Sequence, residues 1–225
     1  MKAYVIAIED HELSQQAANR CIKSGETSYD YRRPYLTTKI EKWKATTPDD
    51  KPLDKLLVDK VIVTGLMEKY SRLANCAAAF HSHFSLWKNC IETNETHIIF
   101  EHDAVIVDTI PDIIPFDKCI SLGKPSYGKF NTPTTIGINP LMHKRYFGGA
   151  HAYMIKPAGA KLLIDYAVQK QARPTDVFLN VDSFPWLQEY YPWPVEARDS
   201  FTTIQNEVGC YAKHNYGETY RVSEV

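Results

Sequence analysis

The fold is decided by the stretch His97-Ile98-Ile99-Phe100-Glu101-His102-Asp103, in which an apolar run ends abruptly in two acids. A continuous apolar run of this length predicts a strand that is buried on both faces, as in a parallel sheet. Ligands of such sheets bind at the carboxyl ends of the strands, where Glu101 and Asp103 stand. Carboxylate oxygens suit Mg²⁺ or Mn²⁺, so the stretch predicts a metal site, with two solvated turn acids as the alternative.

The segments on either side of this strand alternate between strand and helix. The pattern predicts strands at 4–8, 118–122 and 150–155, and helices at 11–23, 71–91 and 157–169. A last helical stretch is expected from Thr175 to about Tyr190, with a break or kink at Pro185. Asp10 is expected to cap the first helix and Gly25 to end it. We therefore expect one α/β domain over residues 1–225 with a mostly parallel central sheet. Residues 26–60 are interpreted as a polar, irregular excursion that could include a short helix, and 192–225 as a tail.

The composition excludes several classes of protein. The 225 residues are 44% hydrophobic and 24% charged, which excludes a disordered chain, a collagen-like fibre and a coiled coil. The net charge of −1 argues against strong nonspecific binding to DNA or to anionic membranes. No apolar run is long enough to span a membrane, and the N-terminal run is expected to be a strand rather than a signal peptide. Five widely spaced cysteines without a CxxC pair favour reduced thiols and a cytoplasmic location.

The central helix and strand share a second pattern. Ser82, His83 and Trp87 stand in the helix, and Glu101 and Asp103 follow at the strand end after a short polar gap. This order resembles glycosyltransferase family 25, in which a helix with Gly-Cys-x-x-Ser-His-x-x-x-Trp precedes a strand ending in Leu-Glu-Asp-Asp. That family includes lipopolysaccharide-chain glycosyltransferases and procollagen galactosyltransferases.

The resemblance continues in later segments and also shows departures. Similar segments are Leu122-Gly123, Gly-Ala-His-Ala-Tyr at 149–153, Pro-Ala-Gly-Ala-Lys-Leu at 157–162 and Arg-Pro-Thr-Asp-Val-Phe-Leu at 173–179. The departures are Ala78-Ala79 in place of Gly-Cys, Ala7-Ile8-Glu9 in place of Asn-Leu-Asp, and His102 as the middle residue of the acidic motif. Because the outer acids are kept, we expect metal binding to persist.

The resemblance implies a GT-A-like nucleotide-sugar-binding domain and assigns roles to residues. Asp103 would be the main ligand of Mn²⁺ or Mg²⁺, Glu101 would assist on the metal or on the ribose, and His214 could be a third ligand. Asp176 would be the general base, with Asp182 in reserve; a helix-capping role is the alternative for Asp176. Expected contacts to the nucleotide sugar are Ile8, Glu9, His83, Glu101, His102, Gly148 and Gly149. A buried, hydrogen-bonded core-edge histidine that anchors the first-strand loop is the favoured interpretation of His83.

Two further segments suggest binding surfaces. Aromatic and basic side chains alternate over 29–44, among them Tyr29, Tyr35 and Trp43, which would suit an acceptor platform or else an ordinary solvated excursion. The loop 123–129 does not have the spacing of a phosphate-binding P-loop, although Lys124 or Lys129 could reach a diphosphate.

The resemblance, together with the retained acids, implies a metal-dependent, inverting transfer of a hexose, galactose by analogy, from a UDP-sugar to a hydroxyl. The acceptor is expected to be a lipopolysaccharide or another glycan. A phage-type enzyme acting on a modified DNA base is an alternative, as is an inactive relative that binds a glycan or a nucleotide. A generic phosphohydrolase is disfavoured because no nucleophile is evident in the sequence.

Overall fold

The computed structural model describes residues 1–27, 33–68 and 71–198, and every structural statement below concerns these ranges. The strands are β1 Lys2–Ala7, β2 Ile40–Lys44, β3 His97–Glu101, β4 Ala104–Ile106, β5 Cys119–Ser121, β6 Gly137–Pro140, β7 Ala152–Ile155, β8 Leu187–Tyr191 and β9 Val195–Ala197. The helices are α1 Glu12–Glu26, α2 Pro52–Val58, α3 Leu73–Thr93, α4 Pro157–Gln169 and α5 Thr175–Phe178. No helix in these ranges combines the length and the apolarity that a membrane crossing requires.

A seven-stranded sheet in the order β2-β1-β3-β7-β5-β8-β6 forms the centre of the molecule. Five strands share one direction, and β7 and β6 run against them. The predicted α/β class with a mostly parallel sheet is therefore confirmed. The carboxyl ends of β1, β2, β3, β5 and β8 meet along one edge, together with the beginning of β7. We call this the carboxyl edge.

Alternate residues of the strands enter two separate cores. In β1, Ala3 and Val5 pack on the side that carries α1, while Tyr4 and Ile6 pack on the side of α3 and α4. A strand whose two faces are both buried reads as a continuous apolar run, which is why β1 and β3 could be recognised from the sequence.

Helix α3 contributes the largest aromatic cluster of the molecule's core. Phe80, Phe84 and Trp87 are all fully buried, at the helical spacing that the sequence predicts. Phe178 of α5 stacks on Trp87 with ring centroids 5.7 Å apart. These aromatic side chains of α3 therefore hold α3 in the core and position the short helix α5, which carries Asp176.

The start and end of α1 differ from the prediction. His11, and not Asp10, caps the helix, because its side chain accepts a hydrogen bond from the Ser14 amide at 3.2 Å. Gly25 lies inside the helix, where an added Cβ would come within 3.1 Å of the Ile40 and Ile106 side chains. Gly25 thus permits close packing of α1 on the sheet and does not end the helix.

Residues 26–60 are more regular than the sequence suggested. They supply the edge strand β2, which pairs in parallel with β1, and the helix α2. The indole of Trp43 lies 5.3 Å from the Tyr4 ring and donates to Ser85 at 3.1 Å. β2 was missed because its outer residues are charged, as is usual for an edge strand.

The region after Thr175 also differs from the prediction. The helix ends at Phe178, and β8 begins at Leu187 where continued helix was expected. In β8 the buried residues Leu187 and Glu189 alternate with half-buried ones, which is strand periodicity. Within the predicted tail, Val195–Ala197 form β9, which pairs with β4 in a small second sheet, and residues 199–225 lie outside the described residues.

Replacing Gly159 by alanine should destabilise the protein, although alanine is ordinarily the better helix former. A Cβ at this position would lie 2.6 Å from the carbonyl oxygen of Lys118, which is backbone and cannot turn away. We expect a loss of about 1–3 kcal/mol in the free energy of unfolding, measured by urea denaturation. Lys161→Ala, on the exposed side of the same helix, is the control; an unchanged or raised stability for Gly159→Ala would contradict the packing argument.

Candidate functional site

A chain of hydrogen bonds runs through the core to the carboxyl edge. Trp87 Nε1 donates to the Tyr153 hydroxyl at 2.9 Å, and that hydroxyl lies 2.9 Å from His83 Nδ1. His83 Nε2 lies 3.1 Å from Glu101 Oε1. Because an indole only donates and a carboxylate only accepts, the Tyr153 hydroxyl donates a hydrogen bond to His83 Nδ1, and His83 Nε2 donates to Glu101. This series of hydrogen bonds holds His83 Nε2 in a fixed position as the donor to Glu101.

The local sequence explains why these groups meet. His83 and Trp87 are four residues apart on α3 and therefore project from the same face of the helix. Tyr153 stands opposite Ile99 in the antiparallel pair of β3 and β7. His83 is thus a buried, hydrogen-bonded histidine, as favoured, but it anchors Glu101 rather than the first-strand loop. Ser82 anchors a loop instead, since its hydroxyl accepts from the Thr46 amide at 2.9 Å.

Glu101 is held as an anion at the end of β3. Burial acts to raise the pKa of its carboxyl, but the bond to His83 and the neighbouring His151 and His102 outweigh burial and lower the pKa. Its side chain remains 30% exposed, so a ligand at the carboxyl edge can reach it.

The two residues after Glu101 turn toward α1. His102 Nδ1 lies 3.0 Å from the Ser14 hydroxyl, which accepts from the Ile8 amide at 2.9 Å. The Asp103 carboxylate lies close enough to Cys21 of α1 to help raise the pKa of that buried thiol, although burial is the larger cause. Glu101 therefore interacts with α3, whereas Asp103 lies near α1.

The predicted metal ligands provide only part of a cation site. Within the described ranges, no three His, Cys, Asp or Glu side chains are grouped closely enough to hold a metal ion. Glu101 and Asp103 are oxygen donors of the type that Mg²⁺ or Mn²⁺ takes, and these ions commonly keep water and substrate phosphate as their remaining ligands. His214 lies outside the described residues.

Ile8 and Glu9, the predicted nucleotide contacts at the end of β1, already have partners in the protein. The Ile8 amide is bound by Ser14, as described above. Glu9 accepts from Lys44 Nζ at 2.5 Å, and both side chains are largely exposed. Their contact with the nucleotide therefore stays a prediction.

Asp176, the predicted general base, lies at the same edge on α5. Its Oδ2 accepts from the Tyr127 hydroxyl at 2.5 Å, and its Oδ1 accepts from the Val177 amide at 2.9 Å. Burial raises the pKa of Asp176, and the charge of Glu101 acts in the same direction, while the two hydrogen bonds act against it. A carboxyl with a raised pKa is better suited to accept a proton near neutral pH than an ordinary aspartate.

Gly148 and Gly149 are both required for packing inside the protein. A Cβ on Gly148 would lie 2.6 Å from Cβ of Pro125, and the Gly148 amide donates to His143 Nε2 at 3.2 Å. Gly149 has a φ of +120°, and a Cβ there would lie 2.7 Å from His151 Nδ1. These contacts account for both glycines, and their predicted approach to a nucleotide sugar stays a prediction.

A buried hydrogen-bonded pair, His143 and Glu189, supports this glycine loop. His143 Nδ1 lies 2.8 Å from Glu189 Oε2, and both side chains are fully buried. Burial acts to raise the pKa of Glu189, but the bond to His143 and two backbone amides outweigh burial and lower the pKa. His143 thereby presents Nε2 as the acceptor for the Gly148 amide.

An open cavity of about 920 Å³ is lined in part by Val177, the residue after Asp176. Its lining includes the basic side chains Lys129, Lys144, Arg145 and Arg173. Asp182, the reserve base, lines it too, but forms an exposed two-point ion pair with Arg145. The two candidate bases therefore differ in environment. Asp182 is exposed and ion-paired, whereas Asp176 is hydrogen-bonded to a tyrosine.

Sequence reasoning missed Tyr127 and Lys144 as neighbours of Asp176. Lys144 Nζ lies 4.4 Å from the centre of the Tyr127 ring and 2.5 Å from the Tyr127 carbonyl oxygen. A tyrosine in a loop that follows a buried strand was the available signal. Of the two lysines noted in that loop, Lys124 pairs with Glu196 at 3.1 Å, while Lys129 lines the cavity.

The predicted acceptor platform at 29–44 is only partly described. Tyr29, Tyr31 and Arg32 lie outside the described residues. Tyr35 and Trp43 pack against the two cores, and Arg33 pairs with Asp112 at 3.3 Å. The described aromatic side chains of this segment therefore serve the fold.

Comparison with known proteins gives one informative match. The family model of glycosyltransferase family 25, a lipopolysaccharide biosynthesis protein, matches residues 68–121. This range contains α3, β3 and the acidic motif, so the resemblance is confirmed there, and it supports glycosyltransferase activity. Tyr153, the glycine loop and Asp176 lie outside the matched range.

Two other comparisons add little. A search of curated proteins gave no match. Among solved structures, mouse xyloside xylosyltransferase 1 in its apo form aligns over 83% of each chain, with 9% sequence identity and a TM-score of 0.37. A likeness this loose carries no argument about fold or function.

Tyr153→Phe should destabilise the protein more than an ordinary loss of one hydroxyl. It leaves the buried Trp87 N–H and His83 Nδ1 without their shared partner, and each unpaired polar atom costs about 1–3 kcal/mol. The free energy of unfolding, measured in urea, should fall accordingly. Tyr166→Phe is the matched control, because that hydroxyl has a single half-buried partner, Ser183. Equal losses in the two variants would argue against the hydrogen-bond chain.

Proposed function

We propose that this chain, which carries the glycosyltransferase family 25 pattern over residues 68–121, is a metal-dependent inverting glycosyltransferase. The donor is a UDP-hexose, galactose by analogy with the family, and the acceptor is a hydroxyl of a lipopolysaccharide or another glycan. The donor lies at the carboxyl edge of the sheet, as ligands of α/β sheets generally do. We propose a cytoplasmic location for the reaction.

The observation that carries this proposal is the hydrogen-bond chain from Trp87 through Tyr153 and His83 to Glu101. It joins the helix pattern and the acidic pattern of the family into one connected unit. Two sequence patterns that meet in one structural unit support a shared function better than either pattern alone. The purpose of the unit is to hold one anionic carboxylate in a fixed position at the strand end.

Glu101 and Asp103 would hold Mn²⁺ or Mg²⁺, which would neutralise charge on the diphosphate leaving group. Glu101 is the better positioned of the two acids, because His83 fixes its Oε1. His102, tied to Ser14 of α1, fixes the turn between the two carboxylates.

Asp176 accepts the proton of the attacking acceptor hydroxyl. As the acceptor oxygen bonds to the anomeric carbon, the bond from that carbon to the diphosphate oxygen breaks and UDP departs. The proton passes to a carboxylate oxygen of Asp176, whose raised pKa favours this transfer. Attack from the side opposite the leaving group inverts the anomeric configuration.

Asp176→Asn should reduce kcat/KM for hexose transfer by about 10²–10⁴, the usual contribution of a general base. Transfer of labelled galactose from UDP-galactose to a glycan acceptor, or to water, provides the measurement. Asp182→Asn tests the reserve base. Asp165→Asn, at a solvent-accessible position of α4, is the matched control. A larger loss for Asp182→Asn than for Asp176→Asn would transfer the role to Asp182.

Asp176→Asn should also leave the fold intact, and it should remove a loss of stability that the wild type shows as the pH rises. Since the folded pKa of Asp176 lies above its unfolded value, the native state holds more protons than the unfolded chain between the two, so stability falls with rising pH in that window. Asparagine removes this loss. We therefore expect the Tm of Asp176→Asn, measured by calorimetry, to equal or exceed the wild-type value near neutral pH. A lower Tm there would show that the ionised carboxylate stabilises the fold.

A thermal-shift experiment separates the donor and metal proposals. UDP-galactose with Mn²⁺ should raise the Tm of the wild type more than either alone, because ligands that bind only the native state stabilise it by mass action. Asp103→Asn should abolish the metal-dependent part, while Asp165→Asn should retain it. Stabilisation without turnover would favour an inactive nucleotide-binding relative. No stabilisation by any nucleotide sugar would remove the main support for the enzyme.

A further inference from the structure

We propose that the cavity beside Asp176 is an acceptor site that selects an anionic sugar, one carrying a phosphate or a carboxylate. This inference rests on the proposed glycosyltransferase function, and it names the class of acceptor. It is carried by the charge, the aromatic lining and the position of the cavity.

The lining is strongly cationic. Four basic side chains face one described carboxylate, Asp182, and Arg145 already pairs with it. Lys129 and Arg173 are exposed, and neither forms an ion pair with any residue in the described ranges. The Arg173 guanidinium donates to the Gln171 side-chain oxygen at 2.8 and 3.0 Å, which orients it without a carboxylate partner. Both charges are therefore available to an anionic ligand.

Lys144 is held in place without a carboxylate bound to it. Its ammonium group donates to the Tyr127 carbonyl and lies over the rings of Tyr127 and Tyr146, at 4.4 and 5.5 Å from their centres. The aromatic faces orient this cation without a direct ion pair, and the nearby charge of Asp176 also acts on it. A preordered cation of this kind binds an anion at a lower entropic cost than a mobile lysine.

The remaining lining suits a sugar ring. Phe130, Tyr146 and Tyr166 offer aromatic surface, while Asn180 and Ser183 line the cavity with side chains that are already hydrogen-bonded within the protein. The volume of about 920 Å³ lies within the range of ordinary small-molecule sites. An anionic monosaccharide or disaccharide matches both the size and the chemistry.

The position of the cavity connects it to the proposed base. Lys144 and Val177 line the cavity, and the Val177 amide donates to Asp176. A sugar held by its anionic group on Lys129, Lys144 and Arg173 would place its hydroxyls beside the Asp176 carboxylate. The diphosphate of the donor carries the same kind of charge, so the experiment must distinguish these two sources of anion.

The test compares charged and neutral sugars on a variant that lacks two cations. Galactose 6-phosphate, galacturonate and methyl galactoside are titrated by NMR into the wild type and into Lys129→Met/Arg173→Gln, alongside UDP. We expect the two charged sugars to bind the wild type more tightly than methyl galactoside. Their affinity should fall about ten-fold in the variant, since each exposed charge contact contributes up to about 1 kcal/mol. UDP and methyl galactoside affinities should stay unchanged.

The double variant Lys23→Met/Lys161→Gln is the matched control, because it removes two exposed cations from α1 and α4 away from the cavity. Equal binding of charged and neutral sugars by the wild type would overturn the inference. So would a loss of UDP affinity as large as the loss for charged sugars, which would assign the cavity to the donor.

Hydrolysis of UDP-galactose, measured in parallel without any acceptor, tests the proposed function separately. Hydrolysis of UDP-galactose without charge-selective sugar binding would support the proposed transferase function but overturn the proposal of an anionic acceptor. Charge-selective sugar binding without hydrolysis would support the anion site but overturn the proposed transferase function.

Discussion

The hydroxyl of Tyr153 is the contact on which the rest of the site depends. It is fully buried and joins Trp87 and His83 of α3 to a strand of the central sheet. Two buried polar groups, the Trp87 N–H and His83 Nδ1, are satisfied through this one hydroxyl, and leaving either unpaired in this environment would be costly. The position of α3 on the sheet is therefore tied to the position of the Glu101 carboxylate. The helix, the strand pair and the acid form one unit.

Two carboxyl groups at the carboxyl edge are driven in opposite directions by their surroundings. For Glu101 the pKa is lowered because histidines outweigh burial, whereas for Asp176 burial prevails and the pKa is raised. The charge on Glu101 contributes to the rise at Asp176. Carboxyl pairs whose environments separate their pKa values in this way are typical of sites where one acid stays charged and the other exchanges protons. The proposed roles follow this division.

The support beneath the site is as specific as the site itself. The buried pair of His143 and Glu189 holds the Gly148 amide, and Gly148 in turn packs against Pro125 of the loop that carries Tyr127. The orientation of Tyr127, and through it the environment of Asp176, thus depends on the buried hydrogen bond between His143 and Glu189. The glycines of this loop serve close packing, which a nucleotide-binding interpretation alone would not have explained.

The sequence by itself determined the class of fold, because β1 and β3 are buried on both faces and α3 has a strict apolar stripe. It also identified Glu101, His83 and Asp176 as residues of interest, through short patterns that survive in the linear chain. Only the tertiary structure decided what these residues do to one another. The edge strand β2, the reversed direction of β7 and the replacement of helix by β8 depend on neighbours that are distant in sequence. The bond from His83 to Glu101, the bond from Tyr127 to Asp176 and the cationic cavity likewise join segments separated by many residues, and no local pattern records such distances.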